Sequence, residues 1–186
     1  MNNLKQTDLS TYDNVSYNPG KNGFIRLLWY FTNVLFFINP LNPISSVKVF
    51  LLRLFGAKIA KGVVIKPSVN IKYPWRLTIG KHSWIGEKVW IDNLADVEIG
   101  DNCCLSQGAM LLCGNHNFKK TTFDLITGKI VLKSGVWIGA NSIVTPGVIC
   151  DSHTVLTVNS VLTKNTESYN IYTGNPAKLV KSRQIN

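Results

Sequence analysis

His116 stands in "LLCGNHNFKK" between two asparagines, Asn115 and Asn117. An imidazole titrates near neutrality and can take a proton from a hydroxyl at physiological pH, turning an alcohol into a nucleophile. A histidine that only shapes its loop is the alternative. The chain's 20 Lys and Arg against 10 Asp and Glu give a net charge of +10, a field that attracts anions without saying which. The basic residues are dispersed and no interleaved aromatic and basic motif is present, so nucleic acid is not the expected partner. Cys103, Cys104, Cys113 and Cys150 form no CxxC pair and two are adjacent. They read as buried, reduced thiols of a cytosolic protein rather than a disulfide framework or a zinc ribbon.

Positioning such a histidine needs a rigid frame, and the chain has one. From Ile59 onward an aliphatic residue recurs every sixth position, as in Ile79, Ile85 and Ile91, then Ile99, Leu105 and Leu111. Four residues after each anchor the side chain is small or β-branched, except at Trp75 and Asn115. Period six fits neither a helix nor a simple alternating strand. It fits a short strand with one inward anchor and a tight corner where only a small group fits. Anchors come in threes, and the first three groups begin at Ile59, Ile79 and Ile99, an interval of 20 residues. Three short sides make a triangular coil, and stacked coils make a parallel β-helix. The expected coils are 59–76, 79–96, 99–116, 132–149 and 150–167. His82 and His153 fall at corners about three coils, or roughly 14 Å, apart and cannot share one ion.

The third coil ends at His116 and anchors resume at Leu132, so residues 117–131 must leave the frame as a loop. A loop of that length in a solenoid is usually functional. The expected organisation is a polar tail and apolar helical region over 1–58, the β-helix over 59–167 with loop 117–131, and a basic segment over 168–186. Within the first part, "FIRLLWYFTNVLFFINP" is apolar but interrupted by Arg26 and Asn33, and it ends at Pro40, short of the ~20 residues a spanning helix needs. A helix lying on the protein or on a membrane surface is expected. The polar start of the chain does not resemble a signal peptide.

"FGAKIAKGVVIKPSVNIKYPW", "WIGEKVWIDNLADVEIG", "SQGAMLLCGNH" and "IYTGNPAKLVKSR" resemble the hexapeptide-repeat acyltransferases, most of all their colanic acid biosynthesis acetyltransferase branch. The resemblance runs from about Phe24 to Arg183. It implies an all-β, left-handed parallel β-helix of about five coils behind an N-terminal helical region. The handedness comes from the resemblance alone. It also implies an O-acetyltransferase that moves an acetyl group from acetyl-coenzyme A to a sugar hydroxyl, with His116 as general base and no metal. Gamma-class carbonic anhydrases share the fold but need a histidine five residues after the first, where this chain has Thr121.

Cofactor positions carried over from the family are Ala140, Val158, Thr163 and Lys178, with Val158 standing where Ala or Gly is common. Asp92, Asn93 and Asn115 are the expected acceptor contacts. The branch usually has an acidic residue after the histidine, whereas this chain has Asn117; Asp96, one coil below, is within reach to orient the ring, but a solvated corner aspartate is the expected reading. Trp84, Trp90 and Trp137 are expected on outer faces, buried between subunits of a homotrimer with shared active sites. The acceptor is expected to be a small-molecule or lipid-linked sugar for exopolysaccharide or another surface glycan. If it is lipid-linked, the apolar Phe24–Phe55 region gives the cytoplasmic protein peripheral contact with the inner membrane surface. A non-catalytic scaffold or ligand-binding β-helix is the rival reading.

Overall fold

The structure is a computed structural model that describes residues 5–186. Three parallel sheets form the sides of a prism. The first stacks Lys58–Ile59, Leu77–Ile79, Val97–Ile99, Ile130–Leu132 and Ile149–Cys150. The second stacks Val64–Ile65, Trp84–Ile85, Cys104–Leu105, Trp137–Ile138 and Val155–Leu156, followed by the hairpin Asn170–Gly174 and Ala177–Ser182. The third stacks Asn70–Ile71, Trp90–Asp92, Met110–Leu112, Ile143–Val144 and Val161–Leu162. Five coils are therefore complete, and the last hairpin adds one side of a sixth.

The register explains the six-residue period. Ile65, Ile85, Leu105, Ile138 and Leu156 lie directly above one another and are fully buried. Each buried aliphatic contributes about 1.5–3 kcal/mol of transfer free energy. The small residues two positions before the anchors fill the corners, and their hydroxyls satisfy corner backbone. Ser83 Oγ donates to the Gly100 carbonyl at 2.7 Å, and Ser142 Oγ donates to that of Thr157 at 2.6 Å. Left-handed backbone recurs at two corners of each coil, at His82, Asn102 and His153 on one and at Ser68, Lys88 and Asn141 on the other.

The N-terminal region closes the open end of the prism. Helix α1 (Gly23–Thr32) starts on an Asn22 cap and continues as a wider π-helical stretch, Asn33–Ile38, and helix α2 spans Ser45–Leu54. Unpaired strand edges must find partners, and the helices supply one set for each sheet. Arg53 donates to the Ile59 carbonyl at 2.7 Å. Buried Lys48 donates to that of Lys66 at 2.9 Å, and Ser45 accepts from Ile65 N–H. Trp29 Nε1 donates to the Ile71 carbonyl at 2.8 Å. Burial holds the Lys48 ammonium below its ordinary pKa. Only Trp29, Asn33 and Phe37 of the α1 stretch are buried, so most of its large apolar side chains remain exposed. No helix among the described residues is long and apolar enough to cross a membrane.

Candidate active site

The excursion at residue 117 is a β-hairpin rather than an open loop. Gly114–His116 pairs antiparallel with Leu125–Thr127, placing His116 opposite Leu125. The chain rejoins the prism at Ile130, which pairs with Val97, two residues before the expected anchor Leu132. A Cβ at Gly114 would press on the end of the Leu94 side chain, so glycine eases the departure of the hairpin from the third sheet.

Phe123, held in left-handed backbone at φ 51°, turns its carbonyl toward the His116 ring. His116 Nδ1 lies 2.9 Å from that oxygen. A carbonyl oxygen only accepts, so Nδ1 must donate, and the neutral ring carries its lone pair on Nε2. The Phe123 ring stacks on the imidazole with centroids 4.4 Å apart and planes 6° from parallel. The partner that sets the tautomer is thus backbone. Asp96 does not serve: its carbonyl accepts Ile130 N–H, and its side chain is not hydrogen-bonded to the ring. Asn117 spends its side chain on Lys119 N–H, at 3.2 Å.

A cavity of about 490 Å³ opens beside the imidazole, lined by Tyr12, Tyr17, Arg26, Lys72, Tyr73 and Leu94 among others. Its outer wall is the segment expected to be a polar tail. Asp8 N–H donates to the Thr121 carbonyl at 2.8 Å, Tyr12 lies 5.9 Å from the His116 ring, and Tyr17 Oη donates to the Leu94 carbonyl at 2.8 Å. Burial, reinforced by Tyr73, pushes the Tyr17 hydroxyl up to about 12. Two aromatics in an otherwise polar stretch were the only sequence signal for this contact.

The expected acceptor residues separate. Asn93 is withdrawn: it is fully buried, its Oδ1 accepts Tyr73 N–H at 2.9 Å and its Nδ2 donates to the Tyr73 carbonyl, so nothing is left for a sugar. Asp92 is half-buried, with Oδ1 3.4 Å from Lys72 Nζ and otherwise without a partner. It stands behind the cavity wall, where Lys72 is the exposed group. Asn115 is exposed, and its Oδ1 accepts its neighbour His116 N–H at 2.8 Å.

Three of the four expected cofactor residues gather at the corner between the second and third sheets. Val158 sits one coil above Ala140, bound through Asn159 N–H to the Ala140 carbonyl at 2.9 Å. Their own N–H groups have no acceptor among the described residues. Exposed Lys178 pairs with Thr173, whose hydroxyl meets Thr157 at 2.6 Å beside Val158. Thr163, after Val161–Leu162, lies instead at the opposite end of the third sheet. That is the corner from which the His116 hairpin departs. Trp84 and Trp137 are exposed in line on the second sheet, and Trp90 is exposed on the third.

His82 and His153 are corner residues, each filling the space left by a glycine in the coil below. The four cysteines are free; burial raises each thiol above its ordinary value, pushing Cys150 up to about 12.

A prism of stacked hexapeptides with a histidine-bearing excursion defines the class of hexapeptide-repeat acyltransferases. Within it the chain belongs to the family of the colanic acid biosynthesis acetyltransferases. It is 34% identical over 176 residues to WcaF of Escherichia coli K12, covering 95% of this chain and 97% of that one. Among solved structures, the hexapeptide-repeat acetyltransferase VCA0836 of Vibrio cholerae, complexed with acetyl-coenzyme A, superposes with TM-score 0.77. The identity is 20%, with 87% of this chain and 88% of that one covered. A maltose O-acetyltransferase from Clostridium difficile 630 gives TM-score 0.76 at 20% identity, over 88% and 90% of the two chains. These matches bear out the parallel β-helical fold with its short N-terminal helical region. No family model matches the chain.

Proposed function

We propose that the protein transfers an acetyl group from acetyl-coenzyme A to a sugar hydroxyl, with His116 as general base. The observation that carries this reading is the Phe123 carbonyl on Nδ1, which leaves the Nε2 lone pair for an acceptor. Nε2 takes the hydroxyl proton as the oxygen attacks the acetyl carbonyl. The tetrahedral intermediate collapses, the C–S bond breaks, and the imidazolium returns the proton to the thiolate. General-base assistance of this kind supplies about 10²–10⁴-fold in rate.

The free N–H groups of Ala140 and Val158 fit the amide-bearing arm of the cofactor, and Lys178 fits its phosphates. Binding of acetyl-coenzyme A by the Vibrio protein and the sugar substrate in the Clostridium protein's name support the same roles. His116 and the Ala140–Val158 corner lie at opposite ends of one face. A neighbouring copy is then needed to bring base and thioester together, and a homotrimer achieves this while covering Trp84, Trp90 and Trp137. The exposed Phe24, Leu27, Phe31 and Leu35 support peripheral contact of a cytoplasmic enzyme with the membrane on which surface glycans are assembled.

Thiol release from acetyl-coenzyme A with a panel of free, nucleotide-linked and lipid-linked sugars tests the reading. Wild type should turn over at least one, and His116→Ala should lose on the order of 10²-fold or more with an unchanged melting temperature. Equal rates in both would remove His116 from the chemistry. The rival scaffold reading predicts cofactor binding without turnover. It draws on Asn117 lacking a carboxylate and on Val158 standing where Ala or Gly is common; the Phe123 carbonyl on Nδ1 weakens the first.

A further inference from the structure

Trp75 is one of the two exceptions to the small residues of the corners. Its indole is taken up by the N-terminal segment: Nε1 donates to the Pro19 carbonyl at 2.7 Å, and Gly20 takes left-handed backbone, φ 85°, against the ring. Arg76 Nη2 donates to the Asn18 carbonyl, and Tyr17 Oη reaches that of Leu94. At the other end Asp8 N–H is held by the Thr121 carbonyl of the hairpin. Asp8 also caps a short 3₁₀ turn, Leu9–Thr11, its Oδ1 accepting Ser10 N–H at 3.0 Å and Ser10 Oγ at 2.6 Å. Holding a segment of this length against its conformational entropy takes anchors at both ends. Residues 8–19 have them, and form a strap from the first coils to the hairpin along the His116 cavity.

What the strap delivers is Tyr12. The capped turn ends on it, and its ring lies 5.9 Å from the His116 imidazole, tilted by 58°. Phe123 is the other aromatic ring on that imidazole. His116 stands on the hairpin, outside the prism, and one hydrogen bond ties its Nδ1 to the Phe123 carbonyl. With only that bond and one stacked ring, the side chain is free to turn about its Cα–Cβ bond and exchange the carbonyl for water. We propose, resting on the reading of His116 as general base, that Tyr12 is a positioning residue. Its ring bears on the imidazole from the strap, keeping Nδ1 on the Phe123 carbonyl and Nε2 available to the acceptor. The strap is thereby part of the active site. An aromatic pair at such a centroid distance shifts a conformational balance by about 2- to 10-fold. The ring does this without its hydroxyl, so phenylalanine should replace it.

Tyr12→Ala and Tyr12→Phe test this, with the His116 ring nitrogens read by nitrogen-15 NMR and turnover read by thiol release from acetyl-coenzyme A. In Tyr12→Ala the ratio of the Nδ1-protonated to the Nε2-protonated tautomer should fall by about 2- to 10-fold. The kcat should fall by up to the same factor, with the KM for acetyl-coenzyme A unchanged. Tyr12→Phe should restore both. Tyr12 is partly exposed and lies outside the prism, so both variants should melt within about 2 °C of wild type. An unchanged tautomer ratio in Tyr12→Ala would overturn the proposal, whatever the rates. Tyr12→Phe as impaired as Tyr12→Ala would assign the effect to the hydroxyl and overturn it as well. If His116→Ala turns over as wild type does, the general-base reading fails, yet the tautomer ratio still decides what Tyr12 does to the ring.

Discussion

At the corner following Cys150, His153 takes left-handed backbone at φ 58°, stacks on Tyr169 with centroids 4.6 Å apart, and fills the space above Gly135. Arg183 from the C-terminal segment locks the same corner, donating to the carbonyls of Gly135 and His153 at 3.0 and 3.1 Å. His116 lies outside the prism on a two-stranded excursion, held through one ring nitrogen by a carbonyl seven residues away. The same side chain is masonry in one place and reagent in the other. The difference lies in what surrounds it: coils above and below for His153, a cavity with two cations for His116. Changes in the stacked region should therefore move stability, and changes in the hairpin should move rate.

The largest expected effect breaks the stack itself. Ile138 is fully buried between Leu105 and Leu156, so Ile138→Ala should cost about 2–5 kcal/mol and show in chemical denaturation. Gly135→Ala comes next. Its φ of 73° strains any side chain, and a Cβ would drive into the His153 ring. A loss of about 2 kcal/mol is expected, on the order of 4–8 °C in melting temperature. In the hairpin, Phe123→Ala removes the stacked ring and keeps the carbonyl. Turnover should fall by on the order of tenfold while the melting temperature stays within about 2 °C of wild type. A large thermal loss there would erase the distinction between the two regions.

The smallest effect concerns acid. Asp151 accepts Ser152 N–H, is paired with Lys133 and accepts from Ser168, and these hold its carboxyl down to about 2. A depressed carboxylate stabilises the fold above its unfolded value near 4, and that stabilisation fades as pH falls from there toward 2. Asp151→Asn should therefore flatten the acid limb of melting temperature against pH, and leave rates unchanged at neutral pH.

What was legible in the sequence is what the period controls. Anchors such as Ile85, Leu105 and Leu156 could be placed because stacking repeats one local rule. The existence of the excursion followed from where the rule lapses, but not its bounds, since the hairpin starts at Gly114 and the prism resumes at Ile130. The pairing inside the excursion did not follow, because no period operates there. Asn93 was readable and misassigned: side chains alternate along a strand, so it shares the inward side with Ile91. The contact of Tyr17 with Leu94 joins residues 77 apart in a polar stretch. Only tertiary packing creates it. Phe123 was invisible for another reason, since its contribution to the site is a backbone carbonyl that any residue carries.

The central claim is that the hairpin presents a neutral imidazole with its lone pair on Nε2. Nitrogen-15 NMR of ring-labelled protein, with His116 assigned by comparison with His116→Ala, reads this directly. A protonated Nδ1 together with a lone-pair Nε2 shift for that one residue at neutral pH is the predicted result. A protonated Nε2 there would leave no base facing the cavity and would contradict the account.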